Sequence, residues 1–241
     1  IELARILAGP WIRQTLEDLG ADVIKIESPE GDDTRIWRPP FIKRGEDKTA
    51  ANFHGSIRGK TSVAIDLKDP EDLERLKSMI ARADILIENF KVGGLTKFGF
   101  DFDSLHAAHP ALVYCLVTDF GQDRPYASRA GYDFLVQGMF SIMSLTGERE
   151  GQPQKMDGAF ADIFSGLYSV IGIQAALAAR ARSGLDQHVD ISLLDSMTVV
   201  LANQAMNFLA SGKAPTRLGN AYSNIIPYQV FALADGHVII A

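Results

Sequence analysis

The chain has 241 residues, 46% of them hydrophobic and 22% charged, an ordinary globular composition long enough for a large core and a second lobe. A net charge of −6 argues against a general nucleic-acid binder. The single cysteine, Cys115, lies in the apolar run ALVYCLV; a disulfide framework is therefore excluded, and a reducing compartment, the cytoplasm, is expected.

The longest apolar stretches are interrupted by Gln, Ser or Arg, which argues against a membrane span, and no signal peptide is read. The chain opens on Ile1 and stops within the strand-like HVIIA, so both ends are expected to be cut from a longer polypeptide.

In chain order, IELARIL reads as a strand, and Gly9-Pro10 as a turn with Pro at the first helical position. Trp11, Ile12, Leu16 and Leu19 mark one helical face, and Gly20 fits the helix C-terminus. ADVIKIE alternates as a strand. The unit recurs: SVAIDL is a strand, Asp69-Pro70 caps a helix with the apolar stripe Leu73, Leu76, Met79 and Ile80, and DILIEN is the next strand. A short helix from Asp103 to Ala108 leads into the strand ALVYCLVTDFG. Strands alternating with helices imply a parallel sheet and an α/β fold for residues 1 to about 120.

Beyond that, a helix is predicted from Tyr132 to Leu145, then a polar loop, then a long helix from Ala161 to Arg182. HVDISLL reads as a strand, Asp195 to Leu209 as an apolar helix, and YQVFALADGHVII as a hairpin turning at Asp235-Gly236.

Asp162 stands out. The helix it opens is almost entirely small or apolar, a pattern read as buried. The residue is then either an N-terminal cap or an acid held near the interior, facing a positive helix end. The dinucleotide fingerprint GxGxxG is absent, since the first turn reads LAGPW, and a nicotinamide or flavin enzyme loses its support. His106 and His109 lack companions at ligand spacing, so no metal site is expected. Cys115 reads as core.

Ligands of open α/β sheets bind beyond the carboxyl ends of strands. Those ends carry Glu27, Asn89 with Phe90, and Asp119, with Lys97 and Arg35 available for phosphate. Alternatively, Asn89 merely caps the next helix.

Together, LAGPW at 7–11, DLGADVIKIESPEGDDTR at 18–35, RGKTSVAIDLK at 58–68, IENF at 87–90, RAGYD at 129–133, ADIFSG at 161–166, SGLDQHVDISLLD at 183–195 and GNAYSNIIPYQVF at 219–231 resemble family III CoA-transferases. That group includes formyl-CoA transferase and carnitine CoA-transferase, with α-methylacyl-CoA racemase as a relative. The resemblance implies a Rossmann-like large domain, assigned to residues 1–220. Residues 221–241 then start a hairpin leading into a smaller domain that is largely missing, and two chains interlock as a homodimer.

It also implies CoA transfer from an acyl-CoA to a carboxylic acid, with Asp162 as the covalent nucleophile and coenzyme A as substrate. The CoA contacts it implies come from Ile6, Ala8, Asn89, Phe90, Lys97 and Phe98, with Tyr132 beside them. Two positions depart from the pattern: Ser28, where some members carry a basic residue, and Ile57, where many carry Asn.

The racemases carry His in a GHD-like motif where this chain has Gly131-Tyr132-Asp133. A phenol, with a pKa near 10 in water, is a poorer base at neutral pH than an imidazole, which favours transferase over racemase. A non-catalytic CoA-binding module is disfavoured by the intact Asp162. GDDTRIWRPPF with RAGYD resembles dicarboxylate-type transferases that handle succinyl-CoA, and Arg38 is a candidate either for the second carboxylate or for a surface salt bridge.

Overall fold

The computed structural model describes residues 1–56 and 61–241. Ile57 and the Arg58-Gly59-Lys60 that opens the RGKTSVAIDLK match lie outside the described residues. The first half contains α1 (Ala8–Asp18), β1 (Ile24–Glu27), β2 (Phe41–Arg44), β3 (Asp47–Ala50), α2 (Ala51–His54), β4 (Thr61–Ala64), α3 (Pro70–Ile80), β5 (Ile85–Glu88), α4 (Phe102–Ala108) and β6 (Val113–Thr118). The second half contains α5 (Asp133–Met139), α6 (Ile142–Leu145), α7 (Phe160–Ser183), β7 (His188–Ser192), α8 (Leu193–Val200), α9 (Ala202–Ser211), β8 (Gln229–Ala232) and β9 (His237–Ile240).

β4 pairs in parallel with β1, and β5, β6 and β7 form a second parallel ladder. The N-terminal residues join the two. Glu2 bridges in parallel to both Lys25 and Ile87, the Ile26 N–H donates to the Glu2 carbonyl at 2.8 Å, and the Leu3 N–H donates to the Ile87 carbonyl at 2.8 Å. The order is therefore β4, β1, N-terminal segment, β5, β6, β7. The chain builds outward one way and then the other, reversing between the N-terminal segment and β5. This is the switch point of a doubly wound sheet, where ligand crevices open.

Alternation along β6 sets the two core layers. Val113, Cys115 and Val117 pack with Ile12 of α1 and with Val170 and Ile173 of α7. Tyr114 and Leu116 face Leu76 and Ile80 of α3 and Leu105 of α4 on the other side. Cys115 is core, and burial pushes its thiol up to about 12.

Charges are also buried beside the first strand: Arg13 Nε lies 2.9 Å from Glu2 Oε2, and Lys25 Nζ lies 2.9 Å from Asp32 Oδ2. The Arg13 and Glu2 side chains are 0% exposed, and Lys25 Nζ also lies 3.6 Å from Glu2 Oε1, so the buried charges are tolerated there as a mutually compensating group.

Several expectations change. α1 begins at Ala8, so Pro10 is its third residue; Pro remains compatible because first-turn N–H groups have no helical partner. The helix expected over 132–145 breaks into α5 and α6 at Ser141, which is left-handed at φ 65°. The one expected over 195–209 breaks into α8 and α9 at Ala202, at φ 42°. The antiparallel hairpin of β2 and β3 has no counterpart among the elements expected from sequence. Asp69 does cap α3, accepting from the Glu71 and Asp72 N–H groups, and β8 pairs antiparallel with β9.

α7 is buried along one face rather than all round. Ala161, Ser165, Ser169, Val170, Ile173 and Ala176 point inward, whereas Ile171 is 63% exposed. Its 24 residues are long and apolar enough, by length and composition, to cross a bilayer, contrary to the expectation drawn from its polar interruptions. Its contacts with α1, α8 and β7 are those of a core helix.

Candidate functional site

A cleft of ≈ 430 Å³ opens at the switch point. It is lined by Ile6 and Ala8 after the N-terminal segment, Asn89 and Phe90 after β5, Asp119 after β6, Tyr132 ahead of α5, and Asp162 of α7. Residues far apart in sequence meet because parallel strands bring all their carboxyl ends to one edge.

Asp162 is the third residue of α7, and it is not the cap. The N-cap residue, Ala159, offers no side-chain bond. Asp133 Oδ1 instead accepts the Ala161 N–H at 2.7 Å, while its Oδ2 accepts from Gln137 Nε2 at 2.7 Å. Gln137 is fully buried, and its Oε1 accepts the Met156 N–H at 2.9 Å. The first turn of α7 is thus pinned by a neighbouring helix. This leaves the Asp162 carboxylate free to face the cleft.

A carboxylate on a helix N-terminus is expected to stay ionised. The surroundings reverse that expectation: burial, then the negative charges of Asp133 and Asp119, push Asp162 up to about 7. Asp119, itself raised by burial, accepts the Gly131 N–H at 2.8 Å, which ties down the loop carrying Tyr132. Tyr132 is 65% exposed on the rim. α7 reaches this position by close approach to α1: a Cβ added at Gly166 would lie 3.0 Å from Trp11 Cδ1.

Lys97 and Phe98 line an adjoining cleft of ≈ 420 Å³, which shares Arg5, Phe90 and Gly94 with the first. Lys97 Nζ sits 4.7 Å from the centre of the Phe98 ring. Ile6, Ala8, Asn89, Phe90 and Tyr132 therefore share one cleft with Asp162, and Lys97 and Phe98 stand next door.

One expectation fails. Arg35 is not available for phosphate: its Nη2 and Nε donate to the two Glu27 carboxylate oxygens at 2.7 and 2.8 Å, and it stacks on Phe53. Glu27 accepts in addition from Ser62 and the Asp32 N–H, and these bonds outweigh burial and hold it down to about 2. That strand end is a structural knot. Arg38 is exposed and lies outside the lining of the Asp162 cleft; among the described residues, the cations that line it are Arg5, Lys91 and Arg129. Sequence reasoning missed these three, and it missed the capping role of Asp133. The spacing of Asp133 and Gln137, one helical turn apart, was the available signal.

The CoA-transferase family III description matches residues 1–241. The chain belongs to CoA-transferase family III. It is 56% identical to a succinate–glutarate CoA-transferase of Agrobacterium fabrum and 37% identical to a succinyl-CoA:glutarate CoA-transferase of Mus musculus, each over 100% of the chain. It spans 61% and 54% of the length of those two relatives. The crystal structure of a CAIB/BAIF family protein from Brucella suis matches it at a TM-score of 0.94 and 60% identity, covering 100% of this chain and 64% of that one.

Proposed function

We propose that the protein moves CoA from an acyl-CoA thioester to a carboxylic acid through a covalent intermediate on Asp162. The observation carrying this is the placement of Asp162 in the switch-point cleft together with Ile6, Ala8, Asn89 and Phe90, in a chain of this family.

The ionised Asp162 oxygen attacks the thioester carbonyl, and the C–S bond breaks. The products are a mixed aspartyl anhydride and the CoA thiolate. The thiolate attacks the aspartyl carbonyl and releases the donor acid, leaving aspartyl-CoA. The acceptor carboxylate then attacks that thioester, and the thiolate returns to the acceptor carbonyl, freeing Asp162. One thioester is exchanged for another, so no external energy source is needed.

The raised basicity of Asp162 suits this cycle. Its conjugate acid, at about 7, approaches the range near 8.5 of an ordinary thiol, which narrows the free-energy gap between anhydride and thioester. Arg5, Lys91 and Arg129 supply positive charge along the cleft for phosphates or a second carboxylate. The relatives are named for succinate and glutarate, both dicarboxylic, and we assign this chain the same class of acid. The exposed apolar side chains Leu167 and Ile171 of α7 suit the interlocked second chain that the resemblance implies, and residues 221–241 would open the second unit.

Incubation of the full-length protein with succinyl-CoA should place a hydroxylamine-sensitive CoA adduct on the peptide containing Asp162, absent in Asp162→Ala. Retention of most transferase activity by Asp162→Ala would sink the assignment. Tyr132 in place of His predicts negligible deuterium exchange at the α-carbon of a branched acyl-CoA.

A further inference from the structure

We propose that Asn89 is a positioning residue that locks the first strand-to-helix turn in its ligand-facing shape, rather than a side chain that contacts CoA. The inference rests on the CoA site proposed above. Asn89 Oδ1 accepts the Arg5 N–H at 2.9 Å, and Asn89 Nδ2 donates to the Arg5 carbonyl at 2.8 Å. This reciprocal pair imitates one rung of backbone pairing just past the ends of the N-terminal segment and β5. A side-chain amide offers two lone pairs and two N–H donors; one of each is committed to Arg5, so half of its hydrogen-bonding capacity, and its orientation, are spent on the turn.

The residue after Arg5 gives the rung its purpose. Ile6 has φ +74°, a left-handed conformation that is a genuine outlier for a β-branched residue. Such conformations persist only where the surroundings over-determine them. The turn swings the chain from the sheet into α1 within two residues, putting both Ile6 and Ala8 on the cleft wall. α1 has no side-chain cap of its own; from the helix side the turn is tied by backbone, the Trp11 N–H donating to the Leu7 carbonyl at 2.8 Å.

The latch is held firmly from behind. Glu88 is buried, its Oε2 accepts the Phe90 N–H at 2.6 Å, and the Tyr114 hydroxyl lies 3.0 Å from its Oε1. Asn89 is therefore fixed between a core carboxyl group and the strained turn.

The test is a double-mutant cycle in the full-length protein, because glycine occupies the left-handed region without steric cost. Asn89→Ala should weaken binding of free CoA, read by calorimetry, about tenfold or more through loss of two hydrogen bonds. Made on top of Ile6→Gly, the same substitution should cost less than about threefold, because the strain it restrained is gone. An equal loss in both backgrounds would mean direct contact with the ligand, and no loss in either would also refute the latch.

Crystal structures supply an arm independent of CoA. Residue 6 of Asn89→Ala should leave the left-handed region, and a left-handed Ile6 in that variant overturns the inference. Wild-type protein that binds no CoA would overturn the proposed function instead, and the crystallographic arm would still decide the latch.

Discussion

Asp133 accepts the Ala161 N–H at 2.7 Å, so the cap on the helix bearing Asp162 comes from a different helix. One carboxylate thereby does two things: it fixes where Asp162 stands and, by its charge, raises the proton affinity of Asp162. Burial is the larger cause of that raised affinity, and Asp133 adds to it while also fixing the helix start.

These two roles separate by substitution. Asp133→Ala should lower stability by about 0.5–2 kcal/mol, the range for a lost helix cap, measured by urea denaturation. Asp133→Asn keeps an oxygen for Ala161 but turns an NH2 group toward the Gln137 amide, so its stability should fall in between. Both variants remove a charge that raises Asp162, so the acid limb of kcat/KM against pH should move to lower pH. A limb that stays or moves up contradicts the charge role.

Asp162 should itself make the fold less stable as pH rises. Its carboxyl group holds a proton up to about 7 when folded, against a value of 3.8 unperturbed. Between those values the folded state binds a proton that the unfolded state has released, so stability falls with rising pH across that window. Asp162→Asn removes the effect. Its stability advantage over wild type should grow from acid pH to about 7 and then level off, as read from urea midpoints. An advantage that stays flat with pH would show Asp162 to be an ordinary surface acid, and one that shrinks would show its carboxyl held below the usual value; either overturns the expectation.

The buried pair of Arg13 and Glu2 predicts a non-additive pattern. Arg13→Met leaves the buried Glu2 carboxylate with Lys25 Nζ, 3.6 Å from its Oε1, as a remaining cation, so it should destabilise by less than the about 3–5 kcal/mol of a wholly unpaired buried charge. Adding Glu2→Gln should cost less than the sum of the two single changes, because the second removes the charge that the first exposed. Strict additivity in denaturant midpoints would show that the two groups do not depend on each other.

The parallel-sheet core was readable because its strands are short apolar runs with helices between them. Asp162 was readable because an acid is conspicuous in so apolar a helix. The breaks at Ser141 and Ala202 were not, since each is a left-handed turn at a residue that carries no such signal. The β2–β3 hairpin escaped because FIKR and DKTA are largely exposed and lack an apolar alternation. Arg35 was misjudged because its commitment to Glu27 is tertiary: both are polar in sequence, and only folding shows the guanidinium already engaged. The Asp133 cap was hidden similarly, reaching a helix 28 residues further along.

The glycine of LAGPW has a packing reason that is directly testable. A Cβ built on Gly9 would lie 2.1 Å from the Cβ of Ala4, so α1 can approach the N-terminal segment only because this position lacks a side chain. Gly9→Ala should cost about 1–3 kcal/mol through overpacking. The displaced turn should also weaken CoA binding. Unchanged thermal stability would rule the close approach out as a constraint.

Lys97 provides the last test, and its exposure sets the size of the effect. It stands on the turn Thr96–Phe98, over the Phe98 ring, in the cleft adjoining that of Asp162. A solvent-exposed ammonium meeting a phosphate gains less than a buried one, so Lys97→Ala should weaken CoA binding only about two- to fivefold at low salt. Added salt should erase most of that difference by screening. If the 3′-phosphate is the group it meets, dephospho-CoA should bind wild type and Lys97→Ala alike. Equal CoA affinity of the two proteins at low salt would leave Lys97 as a solvated side chain packed on an aromatic ring.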